Sequence, residues 1–472
     1  MSDLPVVVIG AGPQGLAAAA QLRERGLATA VLEAGDEPAA AVTQWAHVRL
    51  FSPWPELVDP AAARLLALSG WQAPTQGYPT GGEWIERYLA PLADALGEVV
   101  RYGIRVTGVS RSGRDRLVSS GRDEQPFVVH VVDTTGEESR LQARAVIDAS
   151  GTWRQPGPAG ADGLPATGER AAAAVGLVTY LPPTPDELAT AAGRHLVVVG
   201  SGHSAMTAII DLAEVVRREP GSRLTWVLRR GLSGDTFGGG TADELPQRGA
   251  LGLRARAAVE EGLVELVTGF RVETVQQRDG GVVLVAEDGR ALDPADRVVV
   301  LTGFRPDLSF LSEIRLDLDP VLQAPRLLAA EIDPNLHSCG SVSPHGAAEL
   351  AQPEAGFYLV GMKSYGRAPT FLAMTGYEQV RSVAAELAGD HEAAARVELT
   401  LPDTGVCGGS GLFDDPDQTS SGGCCGPTTA TVTVGPQLVT IGAAPQSERV
   451  RPTVGSPPRP GSVPTWPGCG GS

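Results

Sequence analysis

The chain is poor in basic charge, in long apolar runs and in cysteines arranged for chemistry. Its five cysteines include no Cys-x-x-Cys pair, which removes the spacing of a redox-active dithiol. They are too few for the framework of a small disulfide-stapled domain, and an odd number in a reducing compartment reads as free thiols. The net charge is −17, so nucleic acid and anionic membrane, which select basic surfaces, are not expected partners. No apolar stretch reaches the roughly 20 residues needed to span a bilayer. The N-terminus enters a β-branched strand within a few residues, and the expected location is the cytoplasm. What remains is 472 residues, 42% of them apolar, enough for two or three domains with cores of their own.

Two copies of one pattern are present. Val6-Val7-Val8-Ile9 runs into Gly10-Ala11-Gly12-Pro13-Gln14-Gly15, and Leu196-Val197-Val198-Val199 runs into Gly200-Ser201-Gly202-His203-Ser204-Ala205. Each predicts a strand, a glycine turn and a helix start, the context in which glycines let a backbone approach a pyrophosphate. The phosphate charge then rests on free amides and the positive end of the helix dipole. In the first copy a helix is expected over residues 16–25 and a strand over 28–32, ending in Glu33. A carboxylate there accepts from ribose hydroxyls and repels a 2′-phosphate, which selects FAD or NAD. In the second copy a helix is expected over 204–217 and a strand over 224–228, ending in Arg229 and Arg230. Guanidiniums there suit a 2′-phosphate and select NADPH. The pair in this order implies a flavin, FAD, and a nicotinamide, NADPH.

Between the copies, residues 45–71 are rich in tryptophan and proline; these aromatics either wall a flavin or pack beneath neighbouring helices. An amphipathic helix is expected over 82–96 and strands near 99–109, 127–132 and 145–148. Ala149-Ser150-Gly151-Thr152-Trp153 then reads as the chain leaving the first domain, and residues 298–306 as its return. The expected fold is α/β with two Rossmann-like dinucleotide-binding domains, the NADPH domain inserted in the FAD domain. The boundaries are 1–165 and 301–395 for the FAD domain and 190–300 for the NADPH domain. A glycine loop at 237–240 is a candidate mobile segment beside a nicotinamide, although glycines are more often simple turn-formers. Gly361 closes a strand over 357–361, and a helix over 370–387 follows.

From residue 401 to the end, 25 of 72 residues are glycine or proline, which predicts a low-complexity tail. It carries Cys407, Cys424 and Cys425. Three soft thiolates make a pyramidal site for a thiophilic centre such as trivalent arsenic. Closing a loop of about 17 residues costs only a few kcal/mol. The alternative is that they are chance thiols. Cys339 reads as a small buried apolar residue.

The order of Gly-Ala-Gly-Pro-Gln-Gly, Ser-Gly-Thr-Trp, Gly-Ser-Gly-His-Ser-Ala and Thr-Gly-Phe-Arg-Pro resembles the flavin-containing and N-hydroxylating monooxygenase superfamily over residues 4–390. More narrowly, residues 341–346 and 361–372 resemble flavoproteins of actinobacterial arsenic-resistance clusters. The resemblance implies an oxidoreductase with FAD and NADPH that acts on a small molecule, a trivalent arsenical. It also implies that the loop after Gly361 serves the flavin and its ribityl chain. The aspartate usual there is missing, Met362 and Lys363 follow Gly361, and Ser364, Tyr365 or backbone groups are expected to substitute. Lys363 or Arg367 could hold a substrate anion or simply be solvated. The Phe-x-Gly-x-x-x-His signature of related oxygenases is also missing before the second fingerprint. Two other functions fit the residues: hydroxylation of nitrogen or sulfur in an organic metabolite, and metalloid binding by the tail thiols.

Overall fold

The computed structural model describes residues 3–232, 236–243, 245–278, 280–333, 343–369 and 371–399. These residues all fall within one compact unit. In chain order the strands are β1 Val6–Ile9, β2 Thr29–Leu32, β3 Val100–Arg101, β4 Arg105–Arg111, β5 Phe127–Val132, β6 Glu138–Ala143, β7 Ala145–Asp148 and β8 Val178–Thr179. They continue with β9 His195–Val199, β10 Arg223–Val227, β11 Glu265–Val267, β12 Val272–Arg278, β13 Gly281–Ala286, β14 Arg297–Val300 and β15 Phe357–Leu359.

Ten of these form two five-stranded sheets, ordered β15-β7-β1-β2-β3 and β11-β10-β9-β14-β8. Every pairing within them is parallel. Parallel strands buried on both faces read as near-continuous apolar, β-branched-rich runs, which is what Val6–Ile9 and residues 196–199 are. In β1, Val6 and Val8 point into a core with the helices Pro13–Glu24 and Ala373–Leu387. Val7 and Ile9 point the other way, onto the antiparallel meander β4-β5-β6. The second sheet repeats the plan. Val198 faces the helices His203–Arg218 and Pro246–Glu260, and Val197 and Val199 face the hairpin β12-β13. The mixed α/β fold expected from the sequence is therefore present twice, as helix, sheet and β-ribbon layers.

The strands of the first sheet come from both sides of the second in sequence, so the chain crosses between them twice. The crossings lie side by side: Gly157 N–H donates to Gly303 O at 2.7 Å and Arg305 N–H to Gln155 O at 2.8 Å. Trp153 stacks on Phe304 with ring centroids 4.6 Å apart, and its Nε1 donates to Gln44 Oε1 at 2.9 Å. The single amphipathic helix expected over 82–96 carries a π turn at Ile85–Leu89 between α-helical Gly81–Trp84 and Ala90–Leu96. Glu354, just before β15, accepts from Arg111 Nε at 2.8 Å and Arg122 Nη2 at 2.9 Å, tying the meander to the sheet. Burial alone would raise the Glu354 pKa, but Arg122 and Arg111 together hold it below the usual range.

Candidate functional site

The glycines of the two fingerprints divide into three roles. Gly10 and Gly200 sit at φ +97° and +134°, conformations that L side chains rarely adopt. A methyl on Gly10 would press on Ala149 O and Ser150 Cα, each 3.0 Å away, and one on Gly200 would strike Leu301 O. These glycines let the turn lie against the neighbouring strand. A methyl on Gly12 or Gly202 would meet nothing within 4 Å, so both N-caps face open space, as a pyrophosphate cradle requires. Gly15 packs its helix on the turn, since a methyl there would collide with Gly10 O. In the second copy that third place is taken by Ala205, which is wholly buried. The residues present therefore fit dinucleotides at both helix starts, Pro13–Glu24 and His203–Arg218.

The strand ends differ in charge as expected. Glu33 follows β2, and its carboxylate accepts from Ala11 N and Gly35 N, each at 2.7 Å. The acid is thus oriented against the glycine turn. Arg229 and Arg230 follow β10. Arg229 is exposed, with one Nη1 bond to Ala161 O at 3.1 Å, so most of its donors are available to a ligand. Trp226 Nε1 donates to Gly200 O at 2.7 Å and fixes the second turn from behind.

His203 opens the second helix and packs on Phe51 of the tryptophan- and proline-rich loop, ring centroids 5.4 Å apart. Burial, and after it the nearby Arg248 guanidinium, push its pKa down to about 4, with Asp243 opposing. His203 is therefore neutral at physiological pH. Asp243 and Arg248 form a buried bidentate pair at 2.7 and 2.9 Å. The candidate mobile loop at 237–240 lies flat on the helix Pro246–Glu260: methyls on Gly249 and Gly252 would collide with Gly240 O and Phe237 O. Phe237 meets Trp226 edge-on at 5.9 Å.

The loop after Gly361 departs most from expectation. Lys363 is neither solvated nor free for a substrate: it is fully buried, with Nζ 2.6 Å from Asp148 Oδ2. Ser364 Oγ donates to Gly361 O at 2.7 Å and accepts from Gln379 Nε2 at 2.9 Å. Gln379 Oε1 in turn accepts from Gly361 N at 2.7 Å. Tyr365 is buried against His345 and Phe371. Ser364 and Tyr365, expected to serve a ribityl chain, are turned inward. Gln14 is buried where the first helix meets Ala373–Leu387, and its Nε2 donates to Ala373 O at 3.0 Å. Nothing local in the sequence points to Asp148 or Gln379 as partners; the one local signal is a lysine where an acid is expected.

Cys339, Cys407, Cys424 and Cys425 lie outside the described residues. Among the described residues no cluster of histidine, cysteine and carboxylates has metal-site geometry, and no helix is long and apolar enough to cross a membrane.

Residues 7–327 match the family model described as pyridine nucleotide-disulphide oxidoreductase. The ferredoxin–NADP reductase of Saccharopolyspora erythraea is 28% identical over 67% of this chain and 78% of its own length. The bacillithiol disulfide reductase of Bacillus cereus superposes with a TM-score of 0.59 at 20% identity, covering 82% of this chain and 99% of that one. A flavin-containing monooxygenase from Stenotrophomonas maltophilia gives 0.52 at 24%, covering 84% and 100%.

Proposed function

The chain belongs to the pyridine nucleotide-disulphide oxidoreductase family, and from that premise we propose that it is an NADPH-dependent, FAD-containing monooxygenase of a small substrate. It is an oxidoreductase whose cofactors are FAD and NADPH. In this reading residues 1–165 and 301–395 hold FAD through Gly10, Gly12, Gly15 and Glu33, with Pro13, Gln14 and Gly361 shaping the cradle. Residues 190–300 hold NADPH through Gly202, His203, Ser204 and Ala205, with Gly200 making the turn and Arg229 and Arg230 on the 2′-phosphate. The observation that carries it is the pair of open glycine cradles with opposite charge at their strand ends, joined by paired crossings.

FAD, when bound, accepts a hydride from NADPH and passes the electrons on. In a monooxygenation one oxygen atom of dioxygen goes to the substrate and the other leaves as water, with NADPH and a proton supplying the reducing equivalents. The side chains supply orientation: Glu33 fixes the adenosine ribose, the helix termini neutralise pyrophosphates, and neutral His203 adds no charge beside the nicotinamide cradle. Dioxygen is favoured as acceptor because the sequence has no Cys-x-x-Cys dithiol to receive the electrons. The substrate we assign is a trivalent arsenical handled in the cytoplasm, on the resemblance of residues 341–346 and 361–372 to arsenic-cluster flavoproteins. NADPH oxidation by the purified yellow protein in air, with and without arsenite or methylarsenite and with peroxide counted, tests it. Arsenical-stimulated turnover with little peroxide is expected. Slow turnover indifferent to arsenic and ending in peroxide would overturn the substrate.

A further inference from the structure

Lys363 is the only lysine among the 38 lysines and arginines of the sequence. It is placed where no solvent reaches it: its side chain and that of Asp148 are both 0% exposed. Everywhere else the chain uses arginine for positive charge, so this site has a requirement that a guanidinium does not meet. The geometry shows what it is. An ammonium is compact and directs three donors tetrahedrally, whereas a guanidinium is a rigid planar fork. Lys363 Nζ reaches Asp148 Oδ2 at 2.6 Å and Ser150 Oγ at 3.0 Å, and lies 4.4 Å from the centre of the Phe310 ring.

Ser150 joins this buried pair to the nucleotide cleft. It follows β7 in the first crossing and is exposed, and its Cα lies 3.0 Å from where a methyl on Gly10 would sit, beside the first fingerprint turn. Its hydroxyl donates to Asp148 Oδ1 at 2.6 Å, and its amide also donates to that oxygen at 3.1 Å. A hydroxyl has one hydrogen and two lone pairs. Here the hydrogen is committed to Asp148 and one lone pair to Lys363, so Ser150 has only an acceptor left for a ligand.

We propose that Ser150, locked by Asp148 and Lys363, is an acceptor for a ribityl hydroxyl of FAD and takes over the work of the missing aspartate. This rests on the flavin reading. The carboxylate that would accept directly from a loop position sits instead at the end of β7 and acts through a serine. Lys363 neutralises it so that the buried charge is tolerated. Asp148 and Lys363 are positioning residues, and Ser150 makes the contact.

The test titrates flavin-free apoprotein with FAD by fluorescence quenching, and with ADP as a probe of the adenosine half alone. Ser150→Ala is expected to raise the Kd for FAD about tenfold and leave that for ADP unchanged. Ser150→Thr, which keeps the hydroxyl, should restore FAD affinity. Asp148→Asn combined with Lys363→Met should raise the FAD Kd similarly, and adding Ser150→Ala to that pair should cost nothing more, because the three act as one unit. Equal FAD affinity in Ser150→Ala and wild type, an equal loss for FAD and ADP, or additive losses in the triple variant would each overturn the inference. Wild-type protein that binds no FAD at all would instead overturn the flavin reading beneath it.

Discussion

The two nucleotide modules share one plan and differ in how they treat charge. In the first, the two acids that flank the turn are already partnered: Glu33 by two amides, Asp148 by Lys363 and Ser150. In the second, Arg229 has one carbonyl partner at its strand end. A module whose groups are oriented in advance suits a resident cofactor, because little ordering remains to be done on binding. A module holding available positive charge suits a phosphate that arrives and leaves with each turnover. On the proposed assignment the same strand, turn and helix would serve a fixed and an exchanging dinucleotide, distinguished by side chains at the strand ends.

The largest effect should come from the one fingerprint glycine that the second copy does not keep. A methyl at Gly15 would collide with the Gly10 carbonyl, which is backbone and cannot swing aside. Gly15→Ala should therefore cost about 3 kcal/mol or more. The reciprocal Ala205→Gly removes only a buried methyl from a helix, a loss of about 1 kcal/mol. Melting temperatures of the two variants check this, and equal losses would mean that the two turns are packed alike.

The next contrast is in pH. Asp59, which caps the helix Pro60–Ala67 in the first module, has its pKa raised by burial to about 6. Between about pH 4 and 6 its folded state holds a proton that the unfolded chain has lost, so its contribution to stability falls as pH rises. His203 in the second module is depressed to about 4. From about pH 6.5 down to 4 the unfolded chain binds a proton that the folded one refuses, so stability falls as pH drops. Each contribution is up to about 3 kcal/mol at one pH unit per 1.4 kcal/mol, and the two oppose each other. Denaturant melts of Asp59→Asn across this range should show stability rising with pH more steeply than in wild type. His203→Gln should show the reverse, and parallel curves for all three proteins would remove both groups from the account.

The sequence made legible whatever depends on neighbours along the chain. Valine runs followed by glycines marked both cradles, and Glu33 and the Arg229–Arg230 pair marked the strand ends, because a fingerprint is a local object. The crossings were readable for the same reason. Long-range pairs were invisible. Lys363 looked like a solvated cation because Asp148 lies 215 residues away, and Arg111 gave no sign of Glu354, 243 residues on. Ser364 reads in the sequence as one of several groups able to serve a ligand, but its partner Gln379 is set by how the helix Ala373–Leu387 packs. The glycines at 237–240 suggested mobility; Gly249 and Gly252, further along, let that loop lie on a helix.

The smallest of these effects bears most directly on the division between the modules. If the charge at the strand end of β10 reads a 2′-phosphate, Arg229→Ala with Arg230→Ala should weaken NADPH and leave NADH nearly untouched. Hydrogen bonds to charged groups contribute about 1.5–3 kcal/mol, so the Kd for NADPH should rise on the order of 10- to 100-fold. Titration of the oxidised enzyme with NADP⁺ and NAD⁺ measures this without turnover. Because Arg229 is exposed and its bond to Ala161 is to a carbonyl, the melting temperature of Arg229→Ala alone should move little, which separates lost recognition from lost folding. An equal rise for both nucleotides would place the arginines on the shared pyrophosphate instead. The modules would then differ only in the acid at Glu33, and the preference for NADPH would have to arise elsewhere in the second domain.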